Sequence, residues 1–147
     1  MARIVLPVIG LAAAVGLAGC QAISGYTPTT SAEIAGDWRL TDINGEQMRT
    51  LLPVGDRVPT ITIGDEGQLS GFTGVNRMNG QIDTAALAEG RWVLGPVATT
   101  KMAGAGEHMA VEALFLATLA KADAVHLRGD YLTLSDDGTP ILKFWRE

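Results

Sequence analysis

An α+β domain, mainly an antiparallel sheet of about seven or eight strands that is curved or barrel-like, with one main amphipathic helix, is the architecture the sequence predicts. Three observations predict it. Short runs of alternating apolar and polar residues fill both ends of the region after residue 34. Two-residue turn signals, Asn44-Gly45 and Asp137-Gly138, stand between such runs, and these pairs tolerate the positive φ of tight hairpins. A single stretch near 107–122 has helical rather than strand periodicity.

Taken in order, Trp38, Leu40 and Ile43 alternate with polar neighbours as a strand that ends at Asn44-Gly45. Gln47 to Leu52 is long enough for one helical turn, stopped by Pro53. Thr60-Ile61-Thr62-Ile63, the Asp65-Glu66-Gly67 turn and Gln68 to Phe72 form a hairpin. A Gly/Asn-rich loop follows, then strands at Gln81–Asp83 and Arg91–Val97. From Glu107 to Ala122, the residues Val111, Leu114, Phe115, Leu119 and Ala122 recur at three- and four-residue steps and make one stripe facing the sheet. Val125–Leu127, Tyr131–Leu134 and Ile141–Trp145 close the sheet. The three tryptophans fall in these strands, where packing in the core or at a sheet edge is their ordinary use.

The N-terminus has a different character. Arg3 precedes an apolar stretch from Ile4 to Leu17, and Leu17-Ala18-Gly19 leads into Cys20, the one cysteine of the chain. A basic start, an apolar middle and small residues before a processing point have the anatomy of a secretory signal. Fourteen apolar residues fall short of the ~20 that a membrane span needs. With a cysteine at the processing point, the segment resembles a lipobox. Residues 1–19 are expected to be a lipoprotein signal, Cys20 the lipidated residue, 20–33 a flexible tether, and 34–147 the domain. Gln21 after the cysteine favours outer-membrane sorting facing the periplasm, by the same resemblance.

Charge bounds the partners. Cys20–Glu147 holds all sixteen acidic residues and ten of the eleven basic ones, a net charge of −6. That balance, without any basic run, argues against nucleic acid and against electrostatic docking on anionic lipid. The expected membrane contact is the lipid on Cys20. No disulfide can form within the domain.

Two segments carry unusual local chemistry. Ser70–Gly80 concentrates Gly71, Gly74, Gly80, Asn76 and Asn79. It can be an anion-binding nest or a tight crossover pinned by Asn76, and it matches neither a Walker loop nor a dinucleotide fingerprint. Val97–Gly104 brings Thr99, Thr100, Lys101 and Met102 just before the helix, where two hydroxyls and a lysine can bind an anion near the helix N-terminus or, as is more usual, the hydroxyls satisfy loose backbone groups. Glu112 lies beside the buried stripe and therefore needs partners. Lys101, Arg77 and the N–H groups of the threonine loop are the candidates. His108 and His126 lack metal-ligand spacing, so no metal or other cofactor is expected.

In order along the chain stand Trp38-x-Leu40, Gly71-x-x-Gly74-x-Asn76-x-x-x-Gly80, Thr99-Thr100-x-Met102-Ala103, Glu112-x-x-Phe115-x-x-x-Leu119 and Gly129-Asp130-x-Leu132-x-Leu134. With this order and spacing, the region from Ile34 to Arg146 resembles the META/HslJ-like (DUF306) domain of bacterial lipoproteins. The resemblance implies a compact α+β fold, a link to envelope stress and tolerance of toxic compounds, and no agreed catalytic activity. It makes Gly71, Gly74, Asn76, Gly80, Thr99, Thr100, Met102 and Glu112 the motif residues. Relatives commonly carry cysteines where this chain has Val75 and Gly104, which implies that these two positions are adjacent. The expected function is a non-enzymatic stress-tolerance or binding module of the envelope, with an envelope protein or small molecule as partner. The alternative is an inhibitor or accessory protein acting on an envelope hydrolase.

Overall fold

A computed structural model describes residues 25–147. The apolar segment 4–17 and Cys20 lie outside the described residues, and so does the first part of the expected tether. Among the described residues no helix is long and apolar enough to cross a membrane.

Among the described residues nine strands form one antiparallel sheet that does not close. They are β1 (Gly36–Ile43), β2 (Glu46–Gln47), β3 (Thr60–Ile63), β4 (Gln68–Phe72), β5 (Arg77–Gln81), β6 (Ala98–Thr99), β7 (Ala124–Arg128), β8 (Tyr131–Asp136) and β9 (Thr139–Arg146). The order across the sheet is β6-β5-β4-β3-β1-β9-β8-β7, with the two-residue β2 paired to β1. The expected α+β class is what the chain adopts. The count is nine because β2 and β6 are two-residue strands, and an open path with two edges takes the place of a barrel.

Both hairpin signals work as predicted. Asn44 and Gly45 have φ of 48° and 84°, and Asp137 and Gly138 have 46° and 74°, the paired positive values of a tight two-residue turn. The helices are α1 (Ser31–Ile34), α2 (Met48–Leu51), α3 (Thr84–Ala88) and α4 (Gly106–Leu119). Within α4, Val111, Phe115 and Leu119 are buried. The Phe115 ring meets Phe144 of β9 edge-on at 6.4 Å, which seats α4 on the inner face of the sheet. That face is lined by alternate strand residues, among them Trp38, Leu40, Ile61, Leu132 and Phe144, each no more than 1 % exposed.

Several expectations are corrected. Leu114 is 39 % exposed, because the buried stripe runs through Val111, Phe115 and Leu119 and turns Leu114 outward. Ala122 lies past the helix end. The strand expected at Gln81–Asp83 begins earlier, at Arg77, so half of the Gly/Asn-rich loop is strand. Arg91–Val97 is not a strand: apart from one bridge at Leu94 it is irregular. Trp92 is nonetheless buried there, whereas Trp145 is 44 % exposed on the outer face. Asp83 caps α3 by accepting from Ala85 N and Ala86 N at 2.9 and 3.0 Å, a helix start that Asp-Thr announces.

The packed domain also starts earlier than residue 34. Tyr26 exchanges two backbone hydrogen bonds with Leu127 of β7, at 3.0 and 2.8 Å, and Pro28 is buried. The Glu33 carboxylate then accepts from Thr29 N and Thr30 N at 2.9 and 2.8 Å and fixes the entry into α1. These bonds hold the Glu33 carboxyl below its ordinary range.

Candidate functional site

The motif residues converge where β4 turns into β5 over the N-terminal half of α4. β4 ends at Phe72, and the turn Thr73–Asn76 is closed by Thr73 N donating to Asn76 O at 2.8 Å. Gly74 sits on the helix backbone: a Cβ there would lie 3.1 Å from His108 O, and its φ is +124°. Both conditions select glycine. The turn can therefore descend close enough for Glu112 to reach it from α4.

Glu112 is almost fully buried, as are Thr73 and Asn76. Its Oε2 accepts from Thr73 Oγ1, from Asn76 N at 2.8 Å and from Val75 N at 3.3 Å; its Oε1 accepts from Asn76 Nδ2 at 2.8 Å. Three of these bonds converge on Oε2 and one falls on Oε1, so the carboxylate is held chiefly through one oxygen. Burial alone raises the carboxyl's pKa. The bonds from Thr73, from the Asn76 side chain and backbone, and from Val75 outweigh it and hold Glu112 below its ordinary value.

Asn76 extends the network to the next motif. Its Oδ1 accepts from Thr100 Oγ1 at 2.9 Å and Met102 N at 2.6 Å, while Nδ2 also donates to Met102 O at 3.2 Å. The side-chain amide thus satisfies both backbone groups of Met102. Thr100 Oγ1 accepts from Arg77 N at 3.1 Å and Thr100 N donates to Arg77 O at 3.0 Å, continuing the β5–β6 pairing. Glu112, Asn76 and Thr100 form one clamp tying α4, the β4–β5 turn and the loop after β6.

The structure brings together Gly74, Asn76, Thr100 and Glu112, with Met102 joined through its backbone. Gly71 stands just upstream in β4. Thr99 takes part by backbone pairing with Met78, and its residue is exposed. Gly80 lies apart, beneath Leu94 and Val97. Neither Lys101 nor Arg77 supplies a side-chain partner to Glu112. The donors come from the Gly/Asn turn, because that turn and not the threonine loop lies directly over the helix. Thr73 is the member that sequence reasoning missed. Its signal was a hydroxyl inside Gly71-x-x-Gly74, where a short donor can reach down past glycine. A Cβ at Gly104 would lie 2.6 Å from a Val75 methyl. The two motif loops are adjacent there, as expected, and the valine fills the space that a side chain at 104 would take.

Beside the clamp, between α4 and the segment 94–99 that leads into β6, lies a cavity of about 360 Å³ lined by Leu94, Val97, Thr99, Leu116, Leu119 and Ala122. It has aliphatic walls and no titratable side chain. A second groove, of about 410 Å³, runs between β1, α2 and the loop 53–58, and His108 Nε2 meets Asp56 Oδ2 across the end of that loop at 3.0 Å. Among the described residues no cluster of His, Cys, Asp and Glu has a metal-binding arrangement.

The META domain family model matches residues 29–147. Among solved structures, an NMR structure of a protein from Burkholderia xenovorans is 22 % identical over 97 % of this chain and 99 % of its own, with a TM-score of 0.59. A second NMR structure is 21 % identical over 78 % of this chain and 93 % of its own, also at 0.59. A crystal structure of a DUF4847 family protein from Bacteroides vulgatus is 16 % identical over 77 % of this chain and 93 % of its own, at 0.54. At such identities the likeness is one of fold. No curated protein matches the chain.

Proposed function

The chain belongs to the META domain family, and from that premise we propose that it is a non-catalytic binding module, tethered to the bacterial envelope by lipid on Cys20 and serving stress tolerance. The observation that supports this reading is the state of the motif residues. The Glu112 carboxylate and the Asn76 amide spend their hydrogen-bonding capacity inside the protein. A carboxylate so buried and so bonded holds loops in place and is shielded from any substrate whose proton it would have to take. The motif then sets the shape of the domain, and recognition belongs to its surface.

The tether is tested with a labelled fatty-acid precursor. The full chain should incorporate label and fractionate with membranes, and Cys20→Ser should abolish both. Label persisting in Cys20→Ser would refute lipidation at that residue.

A second reading has its own support. Every residue from Ala98 to Glu107 is exposed, yet the Asn76 amide grips the loop at Met102, whose side chain is 57 % exposed. A protruding loop braced from beneath suits insertion into a hydrolase cleft, since preorganisation lowers the ordering cost of binding. On this reading the protein lowers the activity of a lysozyme- or protease-class enzyme, and Met102→Asp relieves the inhibition. Full enzyme activity at saturating protein would exclude it for the enzymes assayed.

A further inference from the structure

The outer face of the sheet carries a row of side chains in register across seven strands. Pairing places Arg128 of β7 opposite Tyr131, Tyr131 opposite Trp145, and Trp145 opposite Arg39. It continues through Thr60 and Phe72 to Arg77 of β5. Residues in direct register point to the same face, so arginine, tyrosine, tryptophan, arginine, threonine, phenylalanine and arginine form one line. At the usual strand spacing of 4.7–4.9 Å the line is about 29 Å long, with an arginine about every 14 Å.

Two further cations stack on it. The Arg57 guanidinium lies 4.1 Å from the centroid of the Phe72 ring, and Lys143 Nζ lies 4.6 Å from that of Tyr131. Five of the ten basic residues after Cys20 therefore stand on or over the row. Of the acidic residues, Glu147 pairs with Arg39 at 2.6 Å, and Asp37 and Asp42 stand in the adjoining rows. Arg57, Arg77 and Arg128 have no carboxylate within ion-pair distance among the described residues. Tyr131 and Trp145 are 43 % and 44 % exposed. A recess of about 290 Å³ opens at the β5 end, between Arg57 and Arg77, with Thr60, Thr62, Ser70 and Asn79 as its polar floor.

From this row we propose that the outer sheet face binds an acidic polysaccharide that lies along it. The flat Trp145 ring, over which no cation stacks among the described residues, accepts the apolar face of a sugar ring, the Tyr131 hydroxyl and the amide and hydroxyl groups of the recess meet sugar hydroxyls, and the arginines pair with carboxylates. Charge density selects this polymer over single-stranded nucleic acid. Nucleic acid needs a continuous cationic track, whereas the cations here are spaced among aromatic and hydroxyl side chains, Arg39 is paired with Glu147, and Asp37 and Asp42 adjoin the row on a protein whose net charge is −5. A sparsely charged chain matches that spacing and is less repelled by the rest of the surface.

The inference rests on the reading of the domain as a binding module, and it can fail separately, because the Cys20 labelling result does not depend on any sugar. The probe is a hyaluronan oligosaccharide, which bears one carboxylate per disaccharide, added to the full-length protein in detergent. Trp38 and Trp92 are buried, so a change in tryptophan emission on binding reports Trp145. We expect saturable binding that weakens with salt, and a Kd raised about tenfold or more by Arg77→Ala or Tyr131→Ser. Both substitutions are on the exposed face, and an unchanged unfolding midpoint establishes that each variant is folded. An uncharged chitin oligosaccharide should bind at least about tenfold more weakly. Absence of hyaluronan binding, binding that both folded variants retain, or tighter binding of a single-stranded oligonucleotide would each overturn the proposal.

Discussion

Glu112→Ala should lower the unfolding free energy by about 3–5 kcal/mol at pH 7, the summed cost of leaving several buried neutral donors without their acceptor. The reason is what it leaves behind. Thr73 Oγ1, Asn76 N and Asn76 Nδ2 all donate to this carboxylate. Without it these donors stay buried, each at about 1–3 kcal/mol unless water enters. Glu112→Gln keeps the shape but turns one acceptor into a donor that faces the Asn76 donors, and should cost about 1–3 kcal/mol. The two variants differ from wild type in their pH response as well. The folded-state pKa of Glu112 is depressed. Its contribution is therefore fully present above the unfolded carboxyl value, near 4.3, and is lost as pH falls through the folded value. Urea titrations from pH 7 to pH 3 should show wild type losing stability faster than Glu112→Gln. Parallel curves, or a Glu112→Ala protein within about 1 kcal/mol of wild type, would mean that the clamp is not holding the fold.

Gly71→Ala should be of similar severity, about 3 kcal/mol or more, because it overpacks backbone against backbone. An ideal Cβ at residue 71 would lie 2.2 Å from Thr60 O and 3.1 Å from Ile61 Cα. No side-chain rotation relieves a contact with a carbonyl in the neighbouring strand. β3 and β4 would have to part, disturbing the pairing of Thr60 with Phe72 and of Ile61 with Gly71. β4 also delivers Thr73 to Glu112, so the strain passes directly into the clamp. Gly106→Ala is the matched control: nothing lies within 4 Å of its Cβ, and at the start of α4 alanine is the better helix former. It should leave the denaturation midpoint unchanged or slightly raised. Equal midpoints for Gly71→Ala and Gly106→Ala would show that the strands accommodate the extra methyl.

The sheet, the helix and the two tight turns were legible because each has a local cause. Alternation marks β1, β3, β8 and β9, and the residues Asn44-Gly45 and Asp137-Gly138 carry their own turn chemistry. Trp92 reads as a strand residue because an apolar run looks alike whether it pairs with a neighbour or only folds inward. Its burial comes from tertiary contact, including Trp92 N donating to Asp123 O at 2.7 Å. Leu114 was misplaced by a single step around the helix, since small alanines at 110, 113 and 117 leave the stripe weakly bounded. The identity of Glu112 as a buried hub was visible in its position beside Val111. Its partners were not, because which loop lies over a helix depends on pairings between residues far apart in sequence. The register that lines up Arg39, Trp145 and Arg77 on one face is likewise a product of topology, and no window of sequence contains it.

An open sheet leaves two strand edges, and unpaired edges are templates on which other chains add. The two ends of this sheet are blunted by different means. β6, at one end, is only two residues long and gives way to the clamped loop. β7, at the other, is longer, and Tyr26 takes up both backbone groups of Leu127 near its C-terminal end. The segment that leaves the domain toward the N-terminus is thus also its guard against aggregation. A chain trimmed past Tyr26 keeps every motif residue and presents an unpaired strand edge to its neighbours, so solubility and not the core sets where the domain can be cut.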